Sequence, residues 1–122
     1  MMNRLNRSLA SFALLAVLAV PVTTSAIAAP GASGLTLANA TGQVLTTLSI
    51  RRTGTQSWRP LPTGPIRDGQ VKIPFADPDC AFDIKAILGN GVVAEWPGVN
   101  LCEAKLLTLN RNAAGATWVD YD

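Results

Sequence analysis

The sequence predicts an all-β domain, and three observations lead to this prediction. Short segments in which apolar and polar residues alternate recur from residue 35 onward, and this period of two is typical of strands with one buried face. Turn-forming residues separate these segments at spacings of about 8 to 15 residues, and no sustained 3.6-residue apolar period occurs among them. The resulting count of about seven short strands is typical of a two-layer sandwich, immunoglobulin-like or transthyretin-like, with a small barrel as the alternative.

The first two predicted strands, residues 35–39 and 43–52, flank a turn. In the second strand Val44, Thr46, Leu48 and Ile50 share one face of the alternating pattern. The turn, residues 39–42, contains Asn and Gly, which tolerate positive φ.

A long surface loop is predicted for residues 53–69, because proline and glycine are too dense there for a helix or a strand. Trp58 lies within this segment. We expect its large side chain to attach the loop to the core.

Five further strands are predicted in the second half of the chain. Residues 71–75 form an edge strand, because Pro74 cannot donate a ladder hydrogen bond. Residues 80–88 have the clearest alternation, and Gly89-Asn90-Gly91 is a strong hairpin signal before the returning strand 92–96. The last strands are residues 105–109 and 117–121, with Trp118 expected to be buried.

The first 28 residues have the pattern of a cleaved export signal. Arg4 and Arg7 precede an apolar run from Leu9 to Val20, and small residues at Ala26 and Ala28 suit a signal peptidase. The run is shorter than the roughly 20 residues that span a bilayer. We therefore expect cleavage after Ala28, a flexible segment at residues 29–34, a single β domain at residues 35–122, and a periplasmic or secreted location reached by Sec-type export.

Charge composition narrows the classes of partner. The whole chain has 10 basic and 8 acidic side chains, but Arg4 and Arg7 belong to the predicted signal, so 10 − 2 = 8 basic residues remain against 8 acidic ones. A neutral mature chain has no broad positive field for nucleic acid or for a membrane surface. We expect a monomer with no nucleic-acid partner and no membrane span after cleavage.

The two cysteines, Cys80 and Cys102, predict a disulfide. Export leads to an oxidising compartment, and two cysteines allow one intramolecular pairing. The bridge would stabilise the fold by about 3 kcal/mol in the chain-entropy description.

Recognisable catalytic chemistry is missing from the sequence. The chain has no histidine, which excludes Ser-His-Asp and Cys-His arrangements and nearly all transition-metal sites. We therefore predict no catalytic residue, no cofactor and no metal. Asp77, Asp79 and Asp83 suggest calcium ligands, but their spacing is not that of an EF-hand and polar turn formers are the favoured interpretation.

One group of residues suggests binding. Arg51, Arg52, Trp58 and Arg59 lie within nine residues, and guanidinium and indole groups can hold an anion by bidentate hydrogen bonds and stacking. Arg67 is added to this candidate site. The favoured interpretation of these residues, however, is that Arg51 and Arg52 end a strand with solvated heads while Trp58 packs in the core, because a neutral chain has no broad field to attract an anion.

The sequence also resembles a group of small exported all-β proteins of Gram-negative bacteria whose function is unknown. The blocks Asp79-Cys-Ala-Phe-Asp83 and Trp96-Pro-Gly-Val-Asn-Leu-Cys102 are the most distinctive marks of this resemblance. It implies a fold and a compartment but no site. Some similar sequences bear the name argininosuccinate lyase, a long and mainly helical enzyme whose architecture a short β-patterned chain without histidine does not have. The matching blocks are residues 35–42, 48–60, 79–85, 96–102 and 107–122.

The function expected from these observations is a binding or interaction module of the cell envelope, whose partner is an envelope component or a protein. A structural envelope protein without a small ligand is the alternative. A hydrolase is the least favoured class, because the sequence supplies no catalytic group.

Overall fold

The part of the protein that the structure describes has eight β-strands. Most of them form where apolar and polar residues alternate in the sequence, and the shortest strand forms by pairing with such a strand. The computed structural model describes residues 15–19, 21 and 31–122. Most of the predicted signal peptide, residues 1–28, lies outside these ranges. The strands are β1 (Ala32–Ala40), β2 (Leu45–Arg52), β3 (Arg59–Pro60), β4 (Gly69–Asp77), β5 (Ala81–Leu88), β6 (Val93–Asn100), β7 (Leu106–Arg111) and β8 (Thr117–Tyr121).

The strands are divided between two four-stranded sheets. One sheet has the order β4-β1-β7-β8 and the other β3-β2-β5-β6. All neighbours are antiparallel except β1 and β7, which run parallel. The two sheets stay separate, so the predicted all-β sandwich is confirmed and the barrel alternative is wrong. No helix occurs among the described residues, and hence none there that is long and apolar enough to cross a membrane.

Several strand boundaries differ from the sequence prediction: β6, for example, continues beyond the predicted residues 92–96 to Asn100, and an eighth strand is present. Strand β1 begins at Ala32, so residues 32–34, which were expected to be flexible, pair with the end of β4 through Ala32↔Asp77 and Ser33↔Ala76. The predicted loop 53–69 contains β3, whose two residues pair with Ser49 and Ile50 of β2. The prediction that the Pro74 strand lies at an edge is confirmed, because β4 is the outermost strand of its sheet.

The hydrophobic core fills the space between the two sheets. Its largest member is Trp96, which is 1% exposed and donates its indole N–H to the Asn110 carbonyl at 2.9 Å. Trp118, which was expected to be buried, is 46% exposed. It pairs with Asn110 on the outer face of its sheet, while its neighbour Val119 packs against the core.

The predicted disulfide is confirmed. Cys80 precedes β5, Cys102 follows β6, and their Cα atoms lie 5.2 Å apart. A backbone hydrogen bond of 2.8 Å from Leu101 N–H to the Cys80 carbonyl lies beside the bridge. The disulfide therefore joins the β4–β5 connection to the β6–β7 connection, near the point where β2 ends.

Candidate functional site

The predicted arginine cluster lies at the end of the sandwich where β2 stops. Ile50 points into the core and is fully buried. Arg52 is two residues further along the same face, and Arg59 pairs directly with Ile50 from β3, so strand alternation turns both arginines towards the opposite sheet. Arg51 lies on the outer face of β2.

Asp77, the last residue of β4, forms ion pairs with both inward-facing arginines, Arg52 and Arg59. Nη2 of Arg52 contacts its Oδ1 at 3.0 Å, and Nη2 of Arg59 contacts its Oδ2 at 2.9 Å. The Asp77 side chain is only 5% exposed, whereas those of Arg52 and Arg59 are 46% and 52% exposed. These ion pairs join the two sheets at the end of the sandwich, with the carboxylate beneath and the guanidiniums towards solvent.

The pKa of Asp77 is lowered. Burial alone would raise it, but the Asp79 backbone N–H donates to Oδ1 at 2.9 Å and the guanidiniums of Arg52 and Arg59 favour the charged form. Asp79 itself also contacts Nε of Arg52, at 3.1 Å. The carboxylate of Asp77 is therefore ionised at neutral pH and holds both arginines.

A second buried carboxylate, Asp83 of β5, holds Arg51. Pro97 and Gly98 of β6 both lie opposite Asp83, since Ile84 pairs with Trp96 and Phe82 with Val99, and two residues opposite one form a β-bulge. Gly98 has φ +64° there, a conformation that favours glycine. Its free N–H donates to Asp83 Oδ1 at 2.9 Å.

Asp83 has two further partners. The Thr53 hydroxyl donates to Oδ1 at 2.9 Å, and Nε of Arg51 donates to Oδ2 at 2.9 Å. Burial raises the pKa of Asp83, but the hydrogen bonds from Gly98, Arg51 and Thr53 outweigh it, so the pKa is lowered. Asp83 thus fixes the bulge and the orientation of Arg51 at once.

Trp58 lies over the outer face of the β2–β5 pair instead of entering the core. The guanidinium of Arg51 is 4.3 Å and the ammonium of Lys85 is 4.2 Å from its ring centroid. Such distances are within the range of cation–π interactions. The expectation that Trp58 attaches its loop to the core is wrong, because the half-buried indole contacts these two cations on the outer face of the sheet.

The three arginines line a shallow depression of about 300 Å³ together with Thr55, Ser57 and Asp77. Each guanidinium has five N–H donors, of which ion pairs engage two on Arg51, two on Arg52 and one on Arg59. The remaining donors and two hydroxyl groups make this depression chemically suited to a small oxyanion such as a carboxylate, sulfate or phosphate.

The structure thus gathers four of the five predicted binding residues and separates the fifth. Arg67 follows Ile66, which bridges to Leu45 at the opposite end of β2. The Arg67 carbonyl accepts a hydrogen bond of 3.3 Å from the Asn39 side chain in that region. Arg67 therefore does not lie with the other four residues, because loop 53–69 runs the whole length of β2.

Four acidic residues belong to the site but were absent from the binding prediction. Asp77, Asp79 and Asp83 were considered as calcium ligands, and in the structure each contacts an arginine. Glu95, opposite Lys85 in the β5–β6 pair, lies 3.5 Å from Arg51 Nη2. Within the described residues, no group of three or more His, Cys, Asp or Glu side chains can hold a metal ion.

No protein-family model, curated protein or solved structure matches this chain.

Proposed function

We propose that the protein is an exported binding module of the cell envelope, and that its arginine cluster holds an anionic group of an envelope component. The observation that supports this function is the layering of charge around the 300 Å³ depression. Asp77 lies beneath with a side chain 5% exposed, and the half-exposed guanidiniums of Arg52 and Arg59 lie above it. Asp83, whose side chain is 6% exposed, holds the 20% exposed Arg51 on the outer face of β2. The buried acids orient the arginines before any ligand arrives, which lowers the entropic cost of binding.

The charge balance of the cluster determines the affinity that we expect for an anion. Four cations, Arg51, Arg52, Arg59 and Lys85, contact or neighbour four carboxylates, so the cluster is neutral as a whole. A neutral cluster attracts anions only at short range. We expect millimolar dissociation constants for a single anionic group, equivalent to about 4 kcal/mol, and tighter binding for a polymer that repeats the group.

Export is part of the same proposal. The disulfide between Cys80 and Cys102 is of the kind that persists in oxidising compartments, and the N-terminal sequence has the pattern of a signal peptide. The intact mass of the protein recovered from the periplasm or medium would test this, and a mass that begins at Ala29 is expected. Recovery of the unprocessed chain from the cytoplasm would contradict it.

Anion binding is tested with inorganic phosphate and sulfate as probes. Arginine side-chain NMR signals of the cluster should shift on titration, and Arg59→Gln should abolish the shift. Arg59 is the chosen site because its ion pair is half-exposed and contributes at most about 1 kcal/mol to stability. Arg67→Gln, an exposed arginine at the other end of β2, is the matched control and should bind as the unchanged protein does.

The alternative, a structural envelope protein without a small ligand, is favoured by one observation: every arginine of the cluster already has a carboxylate partner. The same titration separates the two functions. If neither anion shifts the Arg52 or Arg59 signals at tens of millimolar, and Arg59→Gln changes only the melting temperature, the cluster is structural and the binding proposal is wrong.

A further inference from the structure

A larger cleft, of about 780 Å³, lies between the start of β1 and the segment that joins β6 to β7. It is within the size range of sites that bind small molecules or short peptides. The apolar side chains of Leu35, Ile73 and Leu101 form part of its lining, and Ser33 and Thr36 contribute hydroxyl groups. None of the arginines of the depression described above lines it, so it is a separate site.

The cleft occupies the place of a missing strand. Pairing between β1 and β7 begins only at Thr36↔Leu106, whereas β1 itself begins at Ala32. Residues 32–35 consequently pair with β4 on one side, and the described residues provide no strand partner on the other. An irregularity between Ser33 and Leu35 leaves Gly34, with φ +83°, outside the pairing with β4. The backbone N–H and C=O groups of this stretch that β4 does not engage therefore have no strand partner among the described residues.

Charged groups of both signs surround this unpaired stretch. Lys72 and Lys105 line the cleft together with Glu103 and Asp122, and all four are exposed. Among the described residues, none of these four side chains lies in an ion pair. Glu103 has one weak contact, a hydrogen bond of 3.4 Å from the Asn100 amide.

We propose that the cleft binds an extended peptide segment of a partner protein, which adds as a strand beside residues 32–35 of β1. Backbone hydrogen bonds to an unpaired strand are a general mode of peptide recognition that gives affinity largely independent of sequence. Unpaired lysines and acids beside that strand select side chains of opposite sign on the peptide. A small rigid metabolite would leave the backbone groups of residues 32–35 unpaired, so an extended peptide suits the cleft better.

The probe is a library of random linear heptapeptides displayed on phage and selected against the immobilised protein. Enriched peptides are expected to alternate β-branched residues with polar ones and to include both acidic and basic side chains. Ser33→Trp, an exposed position in the cleft, should weaken the enriched peptides at least about ten-fold by filling the space. Thr47→Trp, on the exposed face of β2 in the other sheet, is the matched control and should leave binding unchanged.

Charge reversal gives a second readout that does not depend on filling the cleft. In the double variant Lys72→Glu, Lys105→Glu, the selected peptides should lose their acidic residues and keep the basic ones. Arg67→Glu should select the same peptides as the unchanged protein. Amide chemical shifts of residues 33–35 should move when an enriched peptide is added.

Three outcomes would overturn the proposal. The first is a selection that enriches no peptide over the bare support, and the second is binding that Ser33→Trp leaves intact. The third is evidence for a different occupant of the cleft. A second copy of the chain would give a dimer in sedimentation that Ser33→Trp dissociates, and the chain's own residues before Gly31 would give nuclear Overhauser contacts with Ala104. None of these results bears on anion binding at the arginine cluster, which is read by Arg59→Gln.

Discussion

Replacement of Asp83 by alanine tests the most specific claim about the site, which is that one buried carboxylate organises both a β-bulge and Arg51. Its side chain is 6% exposed and accepts three hydrogen bonds of 2.9 Å, from Gly98, Thr53 and Arg51. A hydrogen bond to a charged group is worth about 1.5 to 3 kcal/mol. The sum of three such bonds is an upper limit, because Arg51 is 20% exposed and Thr53 is exposed, so water can replace part of what they lose.

The remaining cost is that of breaking a largely buried ion pair and leaving the bulge N–H without its acceptor. Removing one partner of a buried pair destabilises proteins by about 3 to 5 kcal/mol. Partial rehydration of Arg51 places Asp83→Ala at the lower end, about 3 kcal/mol. Asp83→Asn keeps Oδ1 as the acceptor for Gly98 and Thr53 but turns an N–H₂ group, itself a donor, towards Arg51, so about 1 to 2 kcal/mol is expected.

Urea unfolding at pH 7, followed by circular dichroism, measures these free energies. Asp79→Ala is the matched control, since Asp79 also contacts an arginine but is 57% exposed. Its removal should cost at most about 1 kcal/mol. If Asp83→Ala is no more destabilising than Asp79→Ala, the bulge and Arg51 do not depend on Asp83 and the reasoning fails.

Three further predictions concern pH, the disulfide and the tryptophans. Asp77 and Asp83 have pKa values lowered from 3.8, so their contribution to stability is complete above that value and is lost as the pH falls through the lower folded pKa. The melting temperature should therefore fall steeply as the pH is lowered below about 4, and this fall should be less steep in Asp83→Asn. An equally steep fall in that variant would contradict the contribution of Asp83 to acid unfolding. Replacing Cys80 and Cys102 by alanine should cost about 3 kcal/mol in urea, and thiol titration of the unfolded, unreduced protein should find no free thiol; two free thiols would exclude the bridge. Trp96→Ala should cost about 3 to 5 kcal/mol, whereas Trp118→Ala should change stability by at most about 0.5 kcal/mol; similar losses would contradict their opposite burial.

The strands that sequence predicted best are those whose own residues contain the period of two. In β5, Phe82, Ile84 and Ala86 are buried while Ala81 and Ile87 are exposed, and this alternation is local information. Strand β3 has two residues and therefore no period, and it exists because β2 is beside it. The burial of Trp118 was mispredicted for a related reason. The period of two assigns the side chains of β8 to two opposite faces, but only the pairing of β8 with β7 decides which of those faces packs against the core.

The binding cluster was predictable in part because its cations are close in sequence, whereas their partners are not. Arg51 and Asp83 are 32 residues apart, and Arg52 and Asp77 are 25 apart. Only the register of β2 with β5, and the packing of one sheet on the other, brings them together. The sequence therefore predicts a candidate anion site from three neighbouring positive charges and polar turns from a separate group of acids, and nothing in it pairs the two groups.

Stability and binding can be separated within the cluster because its arginines differ in exposure. Arg51 is 20% exposed and contacts Asp83, whose carboxylate also holds the bulge. Replacing Arg51 would therefore disturb the local structure as well as any ligand binding. Arg59 is 52% exposed, contacts Asp77 through one nitrogen and lies 5.1 Å from the Phe75 ring centroid. Arg52 still holds Asp77 when Arg59 is replaced. A mutation that removes affinity without unfolding is therefore expected at Arg59 and not at Arg51, which makes Arg59 the residue that decides whether the arginines bind or only stabilise.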